Sequence, residues 1–86
     1  MEYILVCIRD SAAGVFGTPY AVASTGQAVR AFGDEVNRVD PQNMMNRHPT
    51  DFELYSCGLY DDAQAEVRPM PVTLLVRGKD VVTAKE

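Results

Sequence analysis

The sequence predicts an α+β fold in which a small antiparallel or mixed sheet of four to five strands packs against one main helix. Residues 3–8 and 72–77 are apolar runs of strand length, rich in β-branched side chains. Between them, a single stretch that follows Ser24 has the three- and four-residue spacing of an amphipathic helix. The length of 86 residues fits one domain, residues 1–86.

The first predicted strand, residues 3–8, is apolar without alternation. This pattern is typical of a strand with both faces covered, so we place it at the centre of the sheet. Residues 10–19 follow as a loop or a hairpin, because Gly14, Gly17 and Pro19 interrupt any regular period. Residues 20–23 can then form a short strand, with a proline tolerated just before it.

The main helix is predicted to begin after Ser24 or Thr25, because Gln27 stands at the spacing of a capping box. Its apolar stripe consists of Val29, Phe32, Val36 and Val39. Gly33 either packs closely against the sheet or is exposed and tolerated, at a cost to the helix of about 1 kcal/mol. Asp40 precedes a proline, which disfavours the α conformation and ends the helix.

The second half of the chain is predicted to be mostly strand. After one helical turn at residues 42–47, which His48 and Pro49 end, residues 52–60 read as a strand rich in aromatic residues. Residues 61–64 form a turn, and residues 65–68 return as a short strand.

The C-terminal part begins with Pro69 and Pro71, which we interpret as a bend. Residues 72–77 form a second apolar run and are predicted to be another central strand. The tail after Gly78 is either a short strand or a frayed end.

Two apolar strands without alternation require a cover on the second face of the sheet. One candidate is the loop of residues 10–19 together with the turn that carries Met44 and Met45. The other is a second subunit, since small cores commonly need a partner. We therefore expect a homodimer.

Charge and composition exclude several classes of protein. The net charge is −4, and the only two lysines, Lys79 and Lys85, lie near the C-terminus, which disfavours a sequence-independent duplex binder. No apolar run reaches the length of a membrane span, and we expect a soluble intracellular protein with no membrane partner. Cys7 and Cys57 match no zinc or redox spacing and are expected to be reduced and buried.

Catalytic and metal-binding patterns are also missing from the sequence. His48 is the only histidine, so a metal site or an activated nucleophile has no second imidazole to draw on. Asp51, Asp61 and Asp62 are near it in sequence, but their spacing is not that of a calcium loop. From the sequence we expect a protein that is not an enzyme and that has no catalytic residue, no bound metal and no cofactor.

Single-stranded nucleic acid is the ligand that the side chains fit best, because aromatic faces can stack on bases with only a few cations. The candidate binding residues are Arg9, Phe16, Tyr20, Arg30, Arg47, Tyr55, Tyr60, Arg68 and Arg77. The alternative is that the aromatic residues belong to the core, as strand aromatics usually do.

Three blocks of sequence carry a resemblance to a known family: residues 9–19, residues 28–37, and residues 48–62. Together they resemble the small nonstructural protein of gokushovirus-type microviruses, which are phages with single-stranded DNA genomes. The resemblance implies a protein that is not built into the virion and that acts in genome replication or in the switch to packaging. It implies no binding or catalytic role for any particular residue.

Two functions remain open at this point. In the first, the protein binds single-stranded DNA as a replication accessory in the cytoplasm of the infected bacterial host. In the second, it is an interaction module, a homodimer that docks on a replication, capsid-assembly or host protein without contacting DNA.

Overall fold

The computed structural model describes residues 1–83 and confirms the α+β class. Its strands are β1 (Glu2–Asp10), β2 (Val15–Phe16), β3 (Tyr20–Val22), β4 (Phe52–Asp61) and β5 (Glu66–Arg77). Its helices are α1 (Thr25–Val36) and α2 (Met44–Arg47), with 3-10 turns at Pro49–Asp51 and Gly78–Asp80. Within residues 1–83, no helix combines the length and the hydropathy needed to cross a membrane.

The five strands form one sheet in which all pairings are antiparallel. β1 lies inside the sheet, with β4 on one side and both β2 and β3 on the other, as its apolar sequence predicts. β1 and β4 pair along their whole length, from Glu2 opposite Asp61 to Asp10 opposite Phe52. This long pairing sets which side chains share a face.

β5 differs from its prediction. The return strand and the second apolar run are one continuous strand, Glu66–Arg77, and it lies at the edge of the sheet. The predicted central position of residues 72–77 is therefore wrong. The predicted bend at Pro69 and Pro71 does not divide the strand, but the register of β4 with β5 shifts between Pro69 and Thr73. A proline cannot donate a ladder hydrogen bond, so it fits an edge strand that has no neighbour on its outer side.

Helix α1 begins where the sequence predicts, with the Ser24 hydroxyl accepting a hydrogen bond from the Gln27 amide at 3.2 Å. It ends earlier than predicted, at Val36, because Asn37 caps it. Val39, predicted on the apolar stripe, is 77 % exposed, so this assignment is wrong.

The core lies between α1 and one face of the sheet. Its fully buried members are Val6, Ala28, Phe32, Val36 and Leu54. Met45 of α2 packs against this same core. Of the two covers considered for the second face of the sheet, the one that includes the turn with Met44 and Met45 is therefore wrong, and the second subunit stays a prediction.

The segment after β5 also packs on the helix side. Val81 lies against α1, where a Cβ added to Gly33 would be 3.6 Å from the Val81 Cβ. The Asn37 side-chain Nδ2 donates to the backbone carbonyl of Val81 at 2.9 Å, and the Asn37 Oδ1 accepts from the backbone N–H of Thr83 at 3.0 Å. Gly33 thus packs against this C-terminal segment, which is neither a strand nor frayed at these residues.

Candidate nucleic-acid interface

The sheet has a second face that no helix among residues 1–83 covers, and we call it the open face. Alternate residues of a strand point to opposite faces. In β1, Ile4, Val6 and Ile8 contact the core under α1. The open face is therefore formed by the intervening β1 residues and their direct cross-strand neighbours: Tyr3, Leu5, Cys7, Arg9, Phe16, Glu53, Tyr55, Tyr60, Val67, Leu74 and Arg77.

Charged side chains form a row across one end of the open face. Arg9 of β1 is opposite Glu53 of β4, which is opposite Arg77 of β5. The Arg77 Nε lies 3.5 Å from a Glu53 carboxylate oxygen. Two cations and one anion leave the row with a local charge of +1, although the whole chain carries −4.

Aromatic rings lie beside this row. The Phe16 and Tyr55 ring centroids are 5.2 Å apart in an edge-to-face arrangement, with 74° between the ring planes. The Arg9 guanidinium lies over the Phe16 ring, 5.6 Å from its centroid, which is within cation–π range. Phe16 remains 48 % exposed, so its ring surface is available to a ligand.

Glu53, between the two arginines, contacts both an aromatic ring residue and a cation of this cluster. Its carboxylate accepts a hydrogen bond from the Tyr55 hydroxyl at 2.8 Å and also faces Arg77. The hydrogen bond to Glu53 raises the pKa of Tyr55, because the negative carboxylate favours the protonated phenol. At neutral pH the Tyr55 hydroxyl is therefore a donor held by Glu53.

A second aromatic pair lies at the other end of the open face. Tyr3 is directly opposite Tyr60 in the register of β1 and β4. Tyr3 and Cys7 are four positions apart along β1, so this pair lies about 13 Å from the Cys7–Tyr55 pair, at roughly 3.3 Å per residue. The face therefore presents two groups of rings, with the cations at one end.

A family model described as Phage ORF5 protein matches residues 3–81, most of the chain. The chain belongs to this family. No curated protein and no solved structure gives a significant match. Membership in the phage ORF5 family confirms the resemblance to a phage protein drawn from the sequence, and the whole open face lies inside the matched range.

In this phage ORF5 family protein, the structure places five of the candidate binding residues on the open face. They are Arg9, Phe16, Tyr55, Tyr60 and Arg77. Tyr20 begins the edge strand β3 and is 41 % exposed. Burial and, to a smaller extent, the neighbouring Cys7 thiol raise the pKa of Tyr20.

The other three candidate arginines lie away from the open face. Arg30 is exposed on α1, two residues from the buried Ala28 and Phe32, so it points away from the sheet. Arg47 ends α2, which packs beside α1. Arg68 is opposite Leu59, on the helix side of the sheet, and forms an ion pair with Glu2.

Sequence reasoning missed Tyr3 and Glu53 as members of the site. Both follow from the register of β1 with β4, which places Tyr3 beside Tyr60 and Glu53 between two arginines. The sequence holds one signal that points to them: Tyr3 and Arg9 are six residues apart in one strand, so they share a face.

The block around His48 has a structural role, as the sequence predicts. His48 ends α2, and Pro49–Asp51 forms the 3-10 turn that leads into β4. The turn at residues 62–65 then reverses the chain into β5. Within residues 1–83, no group of three or more His, Cys, Asp or Glu side chains is placed to hold a metal ion.

Proposed function

We propose that this phage ORF5 family protein binds single-stranded DNA through the open face of its sheet, as a non-virion accessory of genome replication or of the switch to packaging. The observation that carries the proposal is the cluster in which Arg9 lies over the Phe16 ring and Phe16 meets Tyr55. The protein acts by binding and without catalysis, in the cytoplasm of the infected bacterial host.

The cluster can contact both the bases and the phosphates of a single DNA strand. A base can stack on the exposed Phe16 ring, and each such contact is worth about 1–3 kcal/mol. Arg9 and Arg77 can then contact the phosphates on either side of that base. Tyr3 and Tyr60 offer a second stacking position farther along the strand.

The charge of the protein favours a single strand over a duplex. If both arginines of the row, Arg9 and the Glu53-paired Arg77, contact a phosphate, the expected slope of log K against log salt with a single strand is about −1.4. Stacking must therefore supply most of the affinity, and the bases of an intact duplex are not available to stack. The ligand that this face fits is unpaired and flexible.

A fluorescence-anisotropy titration tests the proposal directly, using a labelled oligothymidylate of about twelve nucleotides at low and moderate salt. We expect binding in the micromolar range at low salt, weakened by Arg9→Gln. Arg30→Gln is the matched control, since it removes the same charge from the opposite side of the molecule. Absence of binding at micromolar protein in low salt would overturn the proposal.

A second candidate function, self-association, is favoured by the exposed part of β5, residues 66–73. Val67, Met70 and Val72 are 62 %, 48 % and 59 % exposed, an unusual density of apolar side chains for a solvated strand. Next to them, Ile4, Leu59, Met70 and Pro71 line an apolar groove of about 470 Å³. A second copy of the chain could cover this region in a homodimer, which would then dock on a replication or host protein.

Sedimentation velocity over a range of concentrations tests this candidate. The expected result is a monomer–dimer equilibrium that Val72→Lys shifts to monomer. Val39→Lys is the control, because Val39 is equally apolar and more exposed but lies after α1. A monomer at every concentration would remove self-association and leave the DNA-binding proposal unaffected.

A further inference from the structure

Two cysteines that are fifty residues apart in the sequence meet on the open face. Cys7 of β1 is opposite Tyr55, while Val6 is opposite Ser56 and Leu5 is opposite Gly58. Cys57 therefore has no partner on β1 and is the extra residue of a β-bulge. The bulge places it diagonally across from Cys7, on the next strand.

The two thiols interact. Burial, and then the neighbouring Cys57 thiol, raises the pKa of Cys7 to about 11. Both cysteines are free thiols in the structure. Cys7 is only 5 % exposed, whereas Cys57 is half-buried. A small reagent that approaches the open face thus meets Cys57 first.

We propose that Cys7 and Cys57 form a redox-active dithiol that closes to an intramolecular, cross-strand disulfide on exchange with a low-molecular-weight disulfide such as oxidised glutathione. The inference is independent of the DNA-binding proposal. It assigns a modification site to a pair of residues whose sequence spacing matches no redox motif.

The exchange proceeds in two balanced steps. The Cys57 thiolate attacks one sulfur of oxidised glutathione, the sulfur–sulfur bond breaks, and one glutathione thiolate leaves and takes up a proton. Cys7 then loses its proton to solvent and attacks the Cys57 sulfur of the mixed disulfide, which releases the second glutathione. The protein gives up two electrons and two protons, and one oxidised glutathione becomes two reduced ones.

The fold favours the second step. In the unfolded chain, closing the disulfide requires a loop of about fifty residues to form, and loop closure has a large entropic cost. In the folded chain, the pairing of β1 with β4 has already brought the two strands together. The mixed disulfide should therefore be short-lived in the folded protein and persistent in denaturant.

In the test, the 86-residue chain is incubated in a glutathione buffer rich in the oxidised form and the reaction is quenched with acid. The remaining thiols are then alkylated, and the intact mass is measured without reduction. The expected product is an unlabelled monomer, lighter by two hydrogens, with Cys7 linked to Cys57 in a peptide map. Its ratio to the glutathione adduct should be about tenfold or more higher in the folded protein than in denaturant. Two alkylated cysteines, a stable glutathione adduct or a covalent dimer as the main folded-state product would overturn the proposal.

Cys57→Ser adds a second measurement. Because Cys7 is reached through Cys57, the remaining thiol of this variant should stay unmodified under the same oxidation. Rapid addition of glutathione to Cys7 in the variant would contradict the proposal, since it would show that Cys7 reacts without its neighbour.

Discussion

Replacing Phe16 by alanine removes the stacking surface of the open face while leaving the fold in place. Phe16 lies in the two-residue strand β2 at the sheet edge and is 48 % exposed. About half of its ring area, roughly 80–100 Å², is buried, which at about 25 cal/mol per Å² is worth about 2 kcal/mol as an upper bound. A domain of this size has a stability of roughly 4–13 kcal/mol, so the variant should remain folded at room temperature.

The same substitution should weaken DNA binding far more than it perturbs the folded state. Losing one stacked base costs about 1–3 kcal/mol, which is roughly a 5-fold to 150-fold increase in Kd. The assay is the anisotropy titration at low salt, with circular dichroism and urea unfolding on the same sample. Phe16→Leu is the sharper variant, because it keeps an apolar side chain against Tyr55 but has no aromatic face. Affinity within twofold of the original for both variants would refute the assignment of Phe16 as a stacking residue.

Further predictions concern the charged row, the capping network, the C-terminal turn and the thiol pair. Glu53→Gln should lower the pKa of Tyr55 in a phenolate titration and raise DNA affinity about twofold to fivefold at low salt, because it removes the one anion of the row; unchanged affinity would contradict a phosphate-binding row. Asn43→Ala should cost about 2–4 kcal/mol in urea unfolding, because the buried Asn43 amide donates to two backbone carbonyls, at 2.8 and 2.9 Å. Gly78→Ala should cost about 1–3 kcal/mol or more in the same assay, since the added Cβ would press on the Pro49 carbonyl oxygen and lie 2.9 Å from that of Phe52. Alkylation of Cys7 should be slow at neutral pH and should accelerate about tenfold per pH unit up to its pKa of about 11, because the raised pKa keeps the thiol protonated below that value; a pH-independent rate would contradict this.

Local signals in the sequence were sufficient for the start of the helix and for the β4 hairpin. Ser24 and Gln27 define the start of α1 through one hydrogen bond between close neighbours in the chain. The acidic residues after Asp61 predict the reversal, which runs one residue later than predicted, over residues 62–65, with Ala65 at a φ of 54°. In both cases the atoms that decide the structure are within a few residues of each other.

The end of α1 depends on contacts that are more distant in the chain. Asn37 caps the helix while also bonding Val81 and Thr83, more than forty residues later. The Asn43 side-chain amide donates hydrogen bonds to the backbone carbonyls of Glu35 and Arg38. A helical periodicity that continues to Val39 carries no information about these partners, so it predicts a helix that is too long.

The open face could not be read from the strand pattern. Ile4, Val6 and Ile8 are apolar, and so are Leu5 and Cys7 between them, so the apolar pattern alone does not reveal which set faces the helix. The same lack of alternation led to the expectation of a covered second face. The register and the bulge at Cys57 decide which rings meet which cations, and they are set by long-range pairing.

Pro69 and Pro71 show the same limit at the sheet edge. A pair of prolines is equally typical of a bend and of an edge strand whose outer side has no partner. Only the position of β5 in the sheet order distinguishes the two. Once β5 is at the edge, the exposure of Val67 and Val72 follows.

The claim that the open face is the DNA-binding surface is tested most directly by a heteronuclear NMR titration with a short oligothymidylate. We expect chemical-shift changes concentrated on Arg9, Phe16, Tyr55 and Arg77, with α1 unaffected. Changes centred on α1 or on the exposed part of β5, residues 66–73, would contradict this claim, and so would the absence of any change at saturating oligonucleotide.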